Sequence, residues 1–243
     1  MSTLVIVVLC LAAFFVTLRY LLLKPLLASF RQRAITAQNL PSYNGASDYS
    51  KTGYCPIHNE LTDAPVAIEG ELPEDLSGLY LRNGTNSPFD RNDSRRHMFN
   101  GAGMIHQVRI ENGKASYSNQ YTQTPRYLAE KDAGRELYIE FGDVAGGGKP
   151  AMGKIALSAI ERKTGLAPNL EDTENSSATT AIQYHHGELY ALQETSFPFK
   201  LNTRMDNGKL VIDGTGEFDN FGGQLKEPFT AHPKVDPATG DWV

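Results

Sequence analysis

The chain has 243 residues, of which 40% are hydrophobic and 21% charged, and its formal net charge is -5 at pH 7. This composition excludes a disordered polymer, and the negative charge argues against a nucleic-acid-binding surface. Two cysteines, Cys10 and Cys55, are too few for a disulfide framework. We therefore expect a folded protein with no nucleic-acid partner.

Residues 1–40 form an apolar and basic leader. They contain no acidic side chain and four basic ones, Arg19, Lys24, Arg31 and Arg33. The apolar run from Leu4 to Leu23, interrupted only by Arg19, has about the twenty residues that a helix needs to cross a bilayer, and Pro25 is expected to end it. The sequence predicts a single-pass membrane anchor with a basic flank.

The cations follow the apolar run, so the positive-inside rule places the body of the protein in the cytosol. A cleaved signal peptide is the rival interpretation, although the chain start lacks a basic side chain and no small-residue cleavage pattern follows the run. The missing acidic residues also fit a transit peptide for an organelle such as the plastid, although the run is uniformly apolar rather than amphipathic.

The rest of the chain is predicted to be a linker over residues 41–64 and a mainly β domain over residues 65–243. No sustained helical period is visible in this body, whereas the stretch 104–111 alternates with a period of two. Hairpin turns are predicted at Asn112-Gly113, at His186-Gly187 and at Asn207-Gly208, because Gly and Asn tolerate the positive φ angles of two-residue turns.

The last residues are predicted to begin a hairpin that is not completed. Residues 234–236 have a strand pattern, 237–240 a turn pattern, and 241–243 begin the return strand. An unpaired strand end leaves backbone donors and acceptors without partners. The expectation is a β domain that is truncated at Val243.

Three segments carry a resemblance to a known family. They are residues 71–84 (ELPEDLSGLYLRNG), 97–106 (HMFNGAGMIH) and 229–236 (FTAHPKVD). Together and in this order they resemble the carotenoid cleavage oxygenases, whose members act on carotenoids, apocarotenoids and stilbenes. Two positions of the second segment depart from the family's acidic pattern, because Asn100 and Ala102 are uncharged.

The resemblance implies an all-β fold, a seven-bladed β-propeller with one Fe(II) ion held by four histidines on its axis. It implies a dioxygenase that splits a C=C bond of a lipophilic polyene with dioxygen into two carbonyl products. In this chain His232 matches the first iron ligand. The other three ligands and the carboxylates that orient them are expected beyond Val243, so the chain is an incomplete propeller and inactive alone.

The other five histidines are interpreted as structural without reference to the family. His106 shares a strand face with apolar residues and is expected to be a satisfied core residue. His185 and His186 fall at a predicted hairpin tip and are expected to be solvated, while His58 lies in the linker. The spatial relation of His97 to the rest is left open.

Three hypotheses follow. The first is a membrane-anchored, iron-dependent carotenoid dioxygenase, present as an incomplete chain. The second is a truncated, non-catalytic, membrane-anchored protein that binds lipid or a partner. The third is an unrelated scaffold propeller in which the Thr-Ala-His-Pro match at His232 is a coincidence.

Overall fold

The computed structural model describes residues 3–37, 55–89, 99–140, 144 and 148–243. His97 and most of the predicted linker therefore lie outside the described residues. The chain divides into two compact units. One consists of Met1–Gly45 and Leu137–Asn169, and the other of Ala46–Glu136 and Leu170–Val243.

The first unit begins with one long helical segment. Helix α1 (Thr3–Thr17) leads into a π-helical stretch, Leu18–Leu23, which continues as α2 (Lys24–Ala37). The expectation that Pro25 ends the helix is wrong. In an α-helix a proline ring clashes with the carbonyl four residues earlier. Just before Pro25 the helix widens into a π turn, in which the Lys24 N–H bonds to the Arg19 carbonyl. The wider turn relieves the clash.

By length and composition, one helix among the described residues is suited to cross a membrane. It covers Leu4–Phe30, has a mean hydropathy of 2.5, and its most apolar stretch has no buried residue. A signal sequence near an N-terminus meets the same criteria. Within this helix Arg19 donates to the carbonyl of Gly165, and Leu27, after the apolar run, is buried.

Helix α4 (Gly148–Lys163), also in the first unit, contradicts the expectation of a body without helices. Its buried positions recur with a helical period but are filled mainly by small or polar residues, Ala151, Lys154, Ser158 and Glu161. Its exposed face carries the large apolar side chains Met152, Ile155 and Ile160. An amphipathic helix is usually recognised by a stripe of apolar residues that becomes buried. In α4 the buried face is largely polar and the exposed face is apolar, so this pattern does not reveal it.

The described part of the second unit contains one α-helix, α3 (Pro125–Ala133), which was also not predicted although its boundaries follow the usual signals. The side chain of Thr124 caps the first turn by accepting from the Tyr127 N–H at 3.2 Å, and Pro125 occupies the first turn. Gly134 ends the helix in a left-handed conformation with a φ of 63°.

The second unit also contains a short 3-10 helix, Asp172–Glu174, and two antiparallel four-stranded sheets. Sheet A contains β1 (Leu61–Pro65), β2 (Gly78–Asn86), β3 (Ala102–Glu111) and β4 (Lys114–Tyr121), in the order β1-β4-β3-β2. Sheet B contains β5 (Ala181–His185), β6 (Glu188–Leu192), β7 (Phe199–Asp206) and β8 (Lys209–Phe218), in chain order. Each sheet thus has the strand number of one propeller blade.

The three predicted hairpin turns are confirmed. They join β3 to β4, β5 to β6, and β7 to β8 through two-residue turns whose first residues, Asn112, His186 and Asn207, have φ angles of 51°, 46° and 49°. The predicted linker ends earlier than expected, because β1 begins at Leu61 and pairs with β4 at the edge of sheet A.

The core lies between the two sheets. Ile105 of β3 packs with the buried apolar side chains of sheet B, which include Leu189, Phe199, Leu201 and Ile212. Gly103 permits this approach, because its N–H bonds to the Ser177 carbonyl at 2.9 Å and a Cβ there would lie only 2.6 Å from the Ala178 oxygen. Gly103 of the 97–106 segment is thus required by the close approach of the Ser177–Ala178 backbone, which precedes β5.

Candidate functional site

His232 lies in a loop whose backbone is bonded to the connection between β6 and β7. The N–H of Phe229 donates to the Ser196 carbonyl at 2.9 Å, and the N–H of His232 donates to Thr230 Oγ1 at 3.1 Å. Ala231 is fully buried, whereas the side chain of His232 is 67% exposed. The loop therefore presents the imidazole from an anchored backbone and leaves it accessible to other groups.

A carboxylate contacts this imidazole. His232 Nε2 lies 3.3 Å from Glu194 Oε1, and the other oxygen of Glu194 accepts from Thr180 Oγ1 at 3.2 Å. Thr180 precedes β5 and Glu194 follows β6, and the Thr180 N–H bonds to the Leu192 carbonyl at 2.9 Å. The antiparallel pairing of β5 with β6 thus brings the two residues together at the end of the hairpin opposite its turn.

Glu194 is not among the residues predicted from the sequence, because every orienting carboxylate is expected beyond Val243. The contact depends on a loop that returns to sheet B long after β6 has ended. One signal was available in the sequence: Thr180 and Glu194 bound the predicted β5–β6 hairpin, so their proximity follows from its register.

The pair fits part of a metal centre but not a whole one. An imidazole that contacts a carboxylate through one nitrogen is held in orientation, and such carboxylate–histidine pairs are common around protein-bound metals. In the described part of the chain, however, no three His, Cys, Asp or Glu side chains are grouped so that they could hold a metal ion. These residues alone do not form an iron site.

Two of the other described histidines contact aromatic side chains. His106 Nδ1 lies 2.6 Å from the hydroxyl of Tyr117, so His106 is a satisfied, half-buried residue as predicted. Burial and the nearby Arg82 lower the pKa of His106. His186 is exposed at its turn, but His185 is not simply solvated, because its ring stacks on Trp242 at a centroid distance of 4.1 Å.

The two departures from the family's acidic motif both lie in buried positions. Ala102 is 3% and Asn100 4% exposed. Ala102 begins β3 and pairs with Asn86 of β2. A neutral side chain avoids the desolvation cost that a carboxylate would incur at either position, so the substitutions are compatible with the fold.

Comparison with known proteins identifies relatives over most of the folded part. The family model described as retinal pigment epithelial membrane protein (RPE65) matches residues 54–243. Carotenoid 9,10(9',10')-cleavage dioxygenase 1 of Arabidopsis thaliana is 37% identical over 196 residues, which is 79% of this chain and 34% of that protein. The chloroplastic 9-cis-epoxycarotenoid dioxygenase NCED1 of Oryza sativa subsp. japonica is 35% identical over 201 residues, 78% of this chain and 30% of the relative.

The solved structures agree with this relationship. The crystal structure of a lignostilbene dioxygenase from Pseudomonas brassicacearum superposes with a TM-score of 0.55 at 30% identity, covering 78% of this chain and 34% of that one. The chain thus spans about a third of the length of the relatives that it matches. It belongs to the RPE65/carotenoid oxygenase family.

Proposed function

We propose that this chain is the N-terminal part of an Fe(II)-dependent dioxygenase that cleaves a C=C bond of a carotenoid or apocarotenoid into two carbonyl products. The observation that carries the proposal is His232, an accessible imidazole on an anchored loop within the Thr-Ala-His-Pro motif, supported by family membership. The coverage of about a third of each relative supports further ligands from residues beyond this chain.

His232 supplies one ligand in this proposal, and Glu194 keeps its ring in orientation. Iron supplies the redox chemistry that oxidative cleavage of an alkene requires. The described residues alone provide too few donors for that chemistry, so we propose that these 243 residues do not catalyse it by themselves.

The N-terminal helix is proposed to anchor the enzyme where its substrate dissolves. The apolar stretch of Leu4–Phe30 is exposed and long enough to cross a bilayer, and a long polyene partitions into the same hydrocarbon phase. The cations after the run favour a body that faces the cytosol. A plastid location is the alternative, which the chloroplastic rice relative supports.

A second candidate is a non-catalytic, membrane-anchored protein that binds lipid or a partner. Two observations favour it: the described residues contain no group of three metal-binding side chains, and α4 exposes Met152, Ile155 and Ile160. This protein would carry the same helix and sheets but would neither hold iron nor turn over a polyene.

Product analysis separates the two candidates. Membranes containing the protein expressed from the complete gene are incubated with a C40 carotenoid under ¹⁸O₂, and carbonyl products are identified by mass spectrometry. The dioxygenase predicts two labelled carbonyls, lost in His232→Ala and retained in His58→Ala, a control at an exposed histidine. Absence of product from the unmodified protein, or full activity in His232→Ala, would contradict the proposal.

A further inference from the structure

The ring of Trp242, the only tryptophan in the chain, closes the loop that carries His232. After His232 the backbone reverses and Val235 pairs with Trp242 in an isolated antiparallel bridge. Reciprocal hydrogen bonds between Lys234 and Val243, at 2.9 and 2.8 Å, hold the two sides together. This short hairpin returns the chain to sheet B beside the segment that precedes His232.

The Trp242 ring contacts three aromatic side chains. It stacks on His185 with an angle of 14° between the planes, and it contacts Phe229 and Tyr190 at centroid distances of 5.4 and 5.2 Å. We call Trp242, His185, Phe229 and Tyr190 the aromatic clasp. Two of its members belong to the β5–β6 hairpin and one to the His232 loop, so Trp242 joins the loop to the sheet.

The clasp acts directly on the residue before His232. Ala231 is fully buried in a cluster with Tyr190 and Leu192, against which Trp242 packs. The imidazole of His232 is mostly exposed, and its contact with Glu194 joins two exposed groups, an interaction that is worth little in water. The Glu194 contact can orient the ring but does not anchor the loop, so the place of the imidazole depends on its backbone, which the clasp holds.

We infer that Trp242 is a positioning residue, which holds the His232 imidazole in place for a metal by fixing Phe229–Ala231 against β5 and β6. The inference rests on the proposed function in so far as His232 is a metal ligand. Trp242 need not touch the metal for this role. The loop must detach when the indole ring is removed, while sheet B stays folded.

Hydrogen exchange on the full chain in detergent micelles tests the clasp without any metal. Trp242→Ala should increase exchange about a hundredfold at the bonded amides of Phe229 and Lys234, because a large packed side chain is lost. The amides of β6 and β7 should remain protected. Trp242→Phe, which retains a ring, should restore most of the protection. Unchanged exchange at Phe229 and Lys234 in Trp242→Ala would overturn the inference.

Phe218→Ala is the matched control, because Phe218 is a partly buried ring that packs on Phe199 of sheet B at 5.1 Å and belongs to the core cluster between the sheets rather than to the cluster around Ala231. It should destabilise the sheet without selectively releasing the loop. If Trp242→Ala does not fold, Trp242→Leu gives the same comparison with less loss of volume. Loop release in Phe218→Ala equal to that in the Trp242 variant would also overturn the inference.

Iron content separates this inference from the proposed function. In the protein expressed from the complete gene, Trp242→Ala should lower iron per chain and Trp242→Phe should restore it. Full iron content in a Trp242→Ala variant with a released loop would refute the positioning role. Full iron content in His232→Ala, with a normal clasp, would instead refute the proposed ligand.

Discussion

The two sheets of the second unit have the same number of strands and similar hairpin turns, but their interiors differ in chemistry. The strands of sheet A bury four amide side chains, Asn83, Asn86, Gln107 and Asn119. The strands of sheet B bury no amide or charged side chain, and their interior consists of aliphatic and aromatic residues. The topology differs as well, because sheet A takes its edge strand β1 from earlier in the chain.

The amides of sheet A connect it to irregular segments. Asn83 donates to the Ala178 carbonyl at 2.7 Å, and Asn86 both accepts from the Ile57 N–H at 2.9 Å and donates to the Ile57 carbonyl at 2.6 Å. Gln107 donates to the Ile212 carbonyl of sheet B at 3.0 Å. Sheet A thus uses directional bonds to fix its neighbours, whereas sheet B provides an apolar base for the His232 loop.

Removing a large ring from sheet B should give the largest loss of stability. Phe199 is fully buried, so Phe199→Ala should lower the free energy of unfolding by about 3–5 kcal/mol. Urea unfolding of the chain in micelles, followed by the fluorescence of Trp242, measures the change. Met205→Ala, at an exposed position of the same strand, should change stability by less than about 0.5 kcal/mol. Equal effects would contradict an apolar core at Phe199.

Adding a methyl group at Gly103 should give the next largest loss of stability. Gly103→Ala places a Cβ 2.6 and 2.7 Å from the carbonyl oxygens of Ala178 and Ser177, so the backbones must separate at a cost of about 2–3 kcal/mol. Gly84→Ala on β2 is the control, since its Cβ meets nothing within 4 Å. The difference between their urea midpoints tests the close approach, and no difference would refute it.

An amide of sheet A should contribute less than the ring of sheet B. Asn119 is fully buried, accepts from the Leu61 N–H at 2.8 Å and donates to the Asn59 carbonyl at 3.1 Å. Asn119→Ala should cost about 1–2 kcal/mol and increase amide exchange at Leu61. Asn202→Ala removes an exposed amide that bonds Thr215 and should be nearly neutral. A neutral Asn119→Ala would show that β1 is held by its ladder alone.

The smallest effect is a pH dependence at His106 of sheet A. Its pKa in the folded state is lowered, first by burial and then by Arg82, so the unfolded chain takes up the proton first as the pH falls below 6.5. Stability is then lost on acidification, and above pH 6.5 this group has no effect. His106→Gln should lose less stability than the unmodified chain between pH 7.5 and 5.5. An equal acid loss in both would contradict the assignment.

The sequence predicted the parts of the fold that depend on local chemistry. The Asn-Gly and His-Gly turns were recognised because positive φ angles select those residues. Helix α4 was missed because its buried face is filled by Ala, Ser, Lys and Glu, and the passage of the helix through Pro25 was missed because a π-helical stretch is not a sequence signal. The edge position of β1 depends on its pairing with β4, which local pattern does not encode.

The candidate site, like the fold, could be predicted only in part from the sequence. His232 was found through a contiguous motif, whereas Glu194 and Trp242 act on it from other segments of the chain. Their contribution follows from the register of β5 with β6 and from the return of the chain at Val235. Contacts of this kind are tertiary, so only the folded chain reveals them.

The central claim is that His232 is an iron ligand in a carotenoid-cleaving dioxygenase. The most direct measurement is the iron content of the purified protein, expressed from the complete gene, in its unmodified, His232→Ala and His58→Ala forms. We expect iron near one ion per chain in the first and third forms and a loss of iron in His232→Ala. Equal iron in all three forms, or none in the unmodified protein, would contradict it.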